Sequence, residues 1–144
     1  MQTKSSSALV HNTSVLLVTD DHSTDQELRH AFASAAPDLT LNIASRRKEI
    51  ETLEIPALLL LDLVLSGEPA IDLLRWFRGD PRYRRVPVIA LAADGLEALM
   101  ARAYAMGVNS CLLKTVDPPA LELIARGIAT YAGLIRPAEA HHFN

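Results

Sequence analysis

The sequence predicts one α/β domain, a parallel sheet of five strands covered on both faces by helices. Short, continuously apolar runs alternate with segments of helical periodicity, the order expected of strands buried on both faces and joined by crossover helices. The composition is 49% apolar but only 5% aromatic, so the core is built from Leu, Ile, Val and Ala. At 144 residues the chain falls within the usual span of about 100–150 residues for one domain, with no room for a separate DNA-binding or catalytic module. The expected organisation is a folded region over residues 14–131 between polar tails at 1–13 and 132–144, with His141-His142 read as tail, not metal site.

The first strand is Val15 to Val18, closed by Thr19-Asp20-Asp21. A helix follows, because Leu28, Ala31, Phe32 and Ala35 recur on one face; Ser23 and Gln26 have capping-box spacing, and Pro37 ends the pattern. Leu39 to Ala44 is the second strand, and Arg46 to Glu54 carries a weak helical signal of about two turns. Ala57 to Leu61 is the third strand, with Pro56 at its start and Asp62 at its carboxyl end. The third full helix runs from Ala70 to Phe77 and is broken by Gly79-Asp80-Pro81. Val86 to Leu91 is the fourth strand; Leu96, Leu99, Met100 and Ala103 mark the next helix, which Gly107 ends in the left-handed conformation. Val108 to Leu113 is the fifth strand, and Asp117 as cap with Pro118 in the first turn starts a last helix that reaches about Tyr131.

Charge excludes some functions. With 14 basic and 17 acidic residues the net charge is −3, the wrong balance for a general nucleic-acid binder. The single cysteine, Cys111, cannot form an intramolecular disulfide and reads as a small buried apolar residue. No signal peptide is visible and the longest apolar run, Ile55 to Leu65, is too short for a bilayer, so a cytoplasmic location is expected. The basic run Arg75, Arg78, Arg82, Arg84 and Arg85, with Trp76 and Tyr83 among them, reads as a solvated face that could also dock an acidic partner.

In such sheets ligands sit beyond the carboxyl ends of the strands, where the strand order reverses. Asp20 and Asp21 end strand one, Asp62 strand three, Ala92 strand four and Lys114 strand five, so three carboxylates and a lysine should meet on one edge. Crowded carboxylates require a cation between them, and Mg2+ suits oxygen ligands of this kind. An aspartate nucleophile, Mg2+ and a lysine fit phosphoryl transfer.

These residues resemble a known family. Val15-Leu16-Leu17-Val18-Thr19-Asp20-Asp21, Leu58-Leu59-Leu60-Leu61-Asp62, Val86 to Ala93 and Leu112-Leu113-Lys114 are similar, in order and spacing, to the receiver domains of two-component response regulators. The resemblance covers about residues 14–131 and implies a flavodoxin-like fold of strand order 2-1-3-4-5. It implies that Asp62 is the phosphoacceptor for a histidine kinase or phosphotransfer protein and that Lys114 contacts the phosphoryl oxygens. Asp20, Asp21, Asp62 and the Val64 carbonyl would hold Mg2+. A stand-alone receiver of this kind would signal to an unknown downstream protein, or form a homodimer, through the face of its fourth helix, fifth strand and fifth helix, with no direct DNA or membrane binding.

The departures from the family pattern lie at the switch. Ala92 replaces the usual Thr or Ser, Cys111 replaces an aromatic ring, and Ser66 and Ala70 replace a Pro and a Gly in the loop after the phosphoacceptor. Thr115 replaces the proline after the lysine, where a cis peptide would cost about 3–4 kcal/mol against about 0.5–1 kcal/mol for an X-Pro bond, so a changed or strained loop is expected. Two other readings follow: a pseudo-receiver that binds partners independently of phosphorylation, and a small Mg2+-dependent phosphohydrolase with an aspartyl nucleophile. The latter normally needs a second acid at the position of Val64.

Overall fold

A computed structural model describes residues 13–115 and 117–133. Along the chain run β1 (Ser14–Val18), α1 (His22–Ala35), β2 (Thr40–Ala44), α2 (Arg47–Glu51), β3 (Leu58–Asp62), α3 (Ala70–Gly79), β4 (Val88–Ala92), α4 (Glu97–Ala105), β5 (Ser110–Leu113) and α5 (Pro118–Gly133). The strands form one sheet in the order β2-β1-β3-β4-β5, with every neighbouring pair parallel. This is the α/β flavodoxin-like fold that the sequence predicts. The chain tails, His141 and His142 among them, lie outside the described residues apart from Thr13, Ala132 and Gly133.

Alternation along the strands divides the core in two. Val15, Leu17, Leu58, Leu60, Ile89 and Leu91 face α1 and α5, where Leu28, Phe32, Leu121 and Ile128 meet them. Leu16, Val18, Leu59, Leu61, Val88 and Ala90 face the other way, onto Ile50 of α2, Leu73, Leu74 and Phe77 of α3 and Ala103 of α4. The central strands β1, β3 and β4 are buried along their whole length, while β2 and β5 form the half-exposed edges. Register levels the carboxyl ends: Val18 stands beside Leu61, Asp62 beside Leu91 and Ala92 beside Leu113. Thr19 is therefore level with Asp62, and Lys114 is one step beyond Leu113.

Several boundaries differ from expectation, each for a local reason. Helix α1 starts at His22 with Asp21 in the cap position, so Ser23 lies inside the first turn and its box with Gln26 does not form. Asp21 instead accepts the Thr24 hydroxyl at 2.6 Å. Strand β4 starts at Val88, not Val86, because the Val86 amide closes a turn onto the Tyr83 carbonyl and residue 87 is proline. Strand β5 starts at Ser110 because Gly107, at φ +95°, and Val108 are used in ending α4: their amides donate to the Tyr104 and Ala103 carbonyls. Helix α5 is capped as predicted, Asp117 accepting the Ala120 amide at 3.3 Å, and it continues to Gly133 because Ala132 is buried.

Three of the five arginines of the basic run are engaged by the fold, and all but Arg78 are exposed, as expected of a solvated face. Arg78, half-buried at the end of α3, donates to the carbonyls of Arg84 (3.1 Å), Val86 (2.7 Å) and Gly107 (2.8 Å), tying α3 to the start of β4 and the turn before β5. Burial lowers its pKa from the ordinary arginine value. Arg75 pairs with Asp72, and Arg82 with Asp80 and Glu51 while lying over the Tyr83 ring. Tyr83 stacks on Phe77 with centroids 4.6 Å apart.

Candidate phosphoacceptor site

The sheet order reverses between β1 and β3, and the polar groups gather there. Asp62 ends four consecutive buried leucines and is itself fully buried. A carboxylate so placed needs partners, because desolvation of a lone charge is costly. It has three. Lys114 Nζ donates to Oδ2 at 2.7 Å, the Thr19 hydroxyl donates to the same oxygen at 2.8 Å, and the Val64 amide donates to Oδ1 at 3.2 Å. Lys114 is positioned by its own backbone, whose amide extends the ladder onto the Ala92 carbonyl at 2.9 Å.

The two remaining acids stand in front of this pair without touching it. Asp21 Oδ2 is 4.0 Å from Lys114 Nζ. Its carboxyl is held below the ordinary aspartate value chiefly by the Thr24 hydroxyl, with partial burial opposing and Lys114 adding a smaller pull. Asp20 Oδ2 accepts the Ser66 amide at 2.7 Å and so fastens the loop after β3 to the end of β1. The three carboxylates share one edge but not one coordination sphere: among the described residues no group of three His, Cys, Asp or Glu side chains is gathered closely enough to hold a metal. Each acid has found a donor of its own, which spreads like charges apart. The donor chemistry nevertheless suits a hard divalent cation, which typically takes one or two carboxylates and completes its octahedron with water. Oδ1 of Asp20 and Oδ1 of Asp21 accept no hydrogen bond from the described residues.

The remaining sequence-predicted positions are ordinary in geometry. Ala92 is buried in the core and offers no polar side-chain atom to the edge. Cys111 packs half-buried against the core, which raises its thiol pKa, and its amide donates to the Tyr104 hydroxyl at 3.1 Å. Thr115 accepts the Asp117 amide at 3.1 Å, and no cis peptide occurs among the described residues, so the Lys114-Thr115 bond is trans. A cavity of about 530 Å³ lies between the loop after β3 and α4, lined by Val64, Ser66, Glu68, Leu99 and Arg102 among others; Asp62, Thr19 and Lys114 are outside it. Sequence reasoning missed Thr19. The available signal was a hydroxyl closing an otherwise apolar strand, level with Asp62.

No family model matches the chain. It is 29% identical over 116 residues to the response regulator Rre1 of Synechocystis, a match covering 78% of this chain and 50% of the relative. It is 31% identical over 113 residues to the phosphate regulon transcriptional regulatory protein PhoB of Rhizobium meliloti, covering 78% and 49%. The chain thus spans about half the length of these curated relatives. Among solved structures, the phosphorylated cyanobacterial phytochrome response regulator RcpA matches with a TM-score of 0.76 at 21% identity, covering 88% of this chain and 98% of that one. The Mn2+-bound form of response regulator Rcp1 matches with a TM-score of 0.70 at 24% identity, covering 87% and 97%. In sequence and fold the chain is similar to the receiver domains of response regulators. At Asp62 the hydroxyl of Thr19 joins the Lys114 ammonium as a donor to Oδ2.

Proposed function

We propose that this receiver takes a phosphoryl group onto Asp62 from the phosphohistidine of a histidine kinase or phosphotransfer protein. One observation carries the reading: a fully buried aspartate at the sheet's switch point with a lysine ammonium 2.7 Å from its Oδ2. A carboxylate oxygen attacks phosphorus, the P–N bond breaks, and the leaving imidazole takes up a proton. Lys114 neutralises charge on the acceptor and on the incoming phosphoryl oxygens, where catalysis consists mainly of positioning and charge stabilisation. Asp20, Asp21 and Asp62 with the Val64 carbonyl would hold a divalent cation such as Mg2+, which supplies further positive charge to the phosphoryl oxygens. Asp20, whose Oδ2 accepts the Ser66 amide, would also tie the loop after β3 to that ligand set.

The output leaves through protein contacts. α4, β5 and α5 carry the exposed apolar side chains Tyr104, Leu113 and Leu123, which supports this face as the surface for a downstream protein or a second copy. The pseudo-receiver reading draws on Ala92 and Cys111, which provide neither a hydroxyl for the phosphoryl group nor a ring to move. The phosphohydrolase reading has no support at Val64, whose contribution to Asp62 is a backbone amide.

The test is intact-mass measurement after incubation with phosphoramidate and MgCl2. The expected result is a gain of about 80 Da in the wild-type chain and none in Asp62→Asn. Absence of the gain in the wild type overturns the phosphoacceptor reading and leaves the pseudo-receiver.

A further inference from the structure

The two oxygens of Asp62 are not equivalent. Oδ2 is engaged by both Lys114 and the Thr19 hydroxyl, whereas among the described residues Oδ1 receives only the longer bond from the Val64 amide. Thr19 is buried, 3% exposed, and cannot readily turn away. Its amide is tied to the Ala44 carbonyl at 3.0 Å, its hydroxyl oxygen accepts the Asp21 amide at 3.1 Å, and its branched side chain is stiff at χ1. The one proton of the hydroxyl is therefore directed at Asp62.

We propose that Thr19 is a positioning residue that marks Oδ1 as the attacking oxygen and shortens the life of the acyl phosphate. The inference rests on the phosphoacceptor reading above. When Oδ1 bonds to phosphorus and the donor's P–N bond breaks, Oδ2 changes from a charged carboxylate oxygen to a neutral carbonyl. A hydrogen bond to an ionised acceptor is about twice as strong as one to a neutral acceptor, so the Thr19 bond favours the unphosphorylated state. In hydrolysis a water oxygen attacks phosphorus, the Oδ1–P bond breaks, and its electron pair returns to the carboxylate while the water's protons stay with the phosphate. The hydroxyl then meets charge as it develops on Oδ2, an interaction stronger in the transition state than in the ground state.

The experiment uses the chain phosphorylated with phosphoramidate and MgCl2, freed of donor by desalting, and followed by intact mass as the adduct decays. Thr19→Val keeps the shape and removes the hydroxyl; Thr19→Ser keeps the hydroxyl and removes the methyl. The expected decay is about fivefold slower for Thr19→Val and unchanged for Thr19→Ser. Thr19→Ala, also without a hydroxyl, gives the same slow decay and replaces the Val variant if that one fails to fold. Equal decay in the wild type and the hydroxyl-free variants overturns the role of Thr19 while leaving Asp62 as acceptor. So does slow decay in Thr19→Ser, which would assign the effect to packing. A wild type that gains no mass overturns both readings.

Discussion

The two ends of this sheet treat buried charge in opposite ways. At the amino end, the Arg78 guanidinium makes no ion pair with the described residues; neutral carbonyls of Arg84, Val86 and Gly107 take its protons. At the carboxyl end, the switch point gathers Asp20, Asp21 and Asp62 against one cation among the described residues, Lys114, with acceptor oxygens on Asp20 and Asp21 left over. The first arrangement is complete and asks for nothing more. The second leaves negative charge and lone pairs to be satisfied by something bound. Function is located by this incompleteness, since the basic run, the more conspicuous charge cluster in the sequence, is solvated apart from the Arg78 clamp.

The contrast can be broken most forcefully at Lys114. Losing one partner of a buried pair costs up to about 3–5 kcal/mol, and the partial exposure of Lys114 reduces the expected loss for Lys114→Met to about 2–3 kcal/mol. Adding Asp62→Asn removes the stranded charge and should restore most of that loss. Urea unfolding of the single and double variants checks this. If Lys114→Met leaves the unfolding midpoint unchanged, Asp62 is not desolvated in the way its burial implies.

At the other end, Arg78→Ala should cost about 2 kcal/mol, because it leaves three carbonyls without their charged donor. Its neighbour Arg75, paired with Asp72 on the surface, should cost no more than about 0.5 kcal/mol when replaced by Ala. The same urea measurements apply. Equal effects of the two substitutions would mean that the Arg78 clamp is no more than a surface contact.

The difference between the ends also governs what the sequence makes legible. Asp62 and Lys114 can be read directly, because a charge that ends an apolar run has only the sheet edge to occupy. Thr19 cannot: threonine is an ordinary strand former, and its hydroxyl finds an acceptor 43 residues away. The strands and helices follow from periodicity, from the glycine that ends α4 and from the Asp117-Pro118 start of α5, whereas the strand order comes only through the family resemblance. Element ends are less legible where long-range groups compete for backbone. Asn109 Oδ1 takes the Val88 amide at 2.8 Å, and the Asn109 amide goes to the Val88 carbonyl, which together set where β4 and β5 begin. Ser23 has the capping-box spacing in the sequence, yet the cap position and the side-chain bond from Thr24 fall to Asp21.

A smaller effect tests whether every carboxylate near the carboxyl ends of the strands belongs to the unsatisfied set. Glu49 of α2 accepts both the amide and the hydroxyl of Ser45, just past β2, at 2.7 and 3.1 Å. The Ser45 amide is the main reason that its carboxyl lies below the ordinary glutamate value of 4.5. A group depressed in the folded state contributes stability that is present in full above its unfolded pKa and is lost as pH falls through the folded one. Its side chain is 44% exposed, so solvent screening limits the contribution to a few tenths of a kcal/mol. Glu49→Gln keeps an acceptor oxygen and removes the charge. The variant should therefore be slightly less stable than wild type at pH 6, and the two should converge as pH drops below 4.5 toward 3. Urea unfolding at both pH values decides it. A gap that stays constant with pH would show that Gln fails through geometry, not charge.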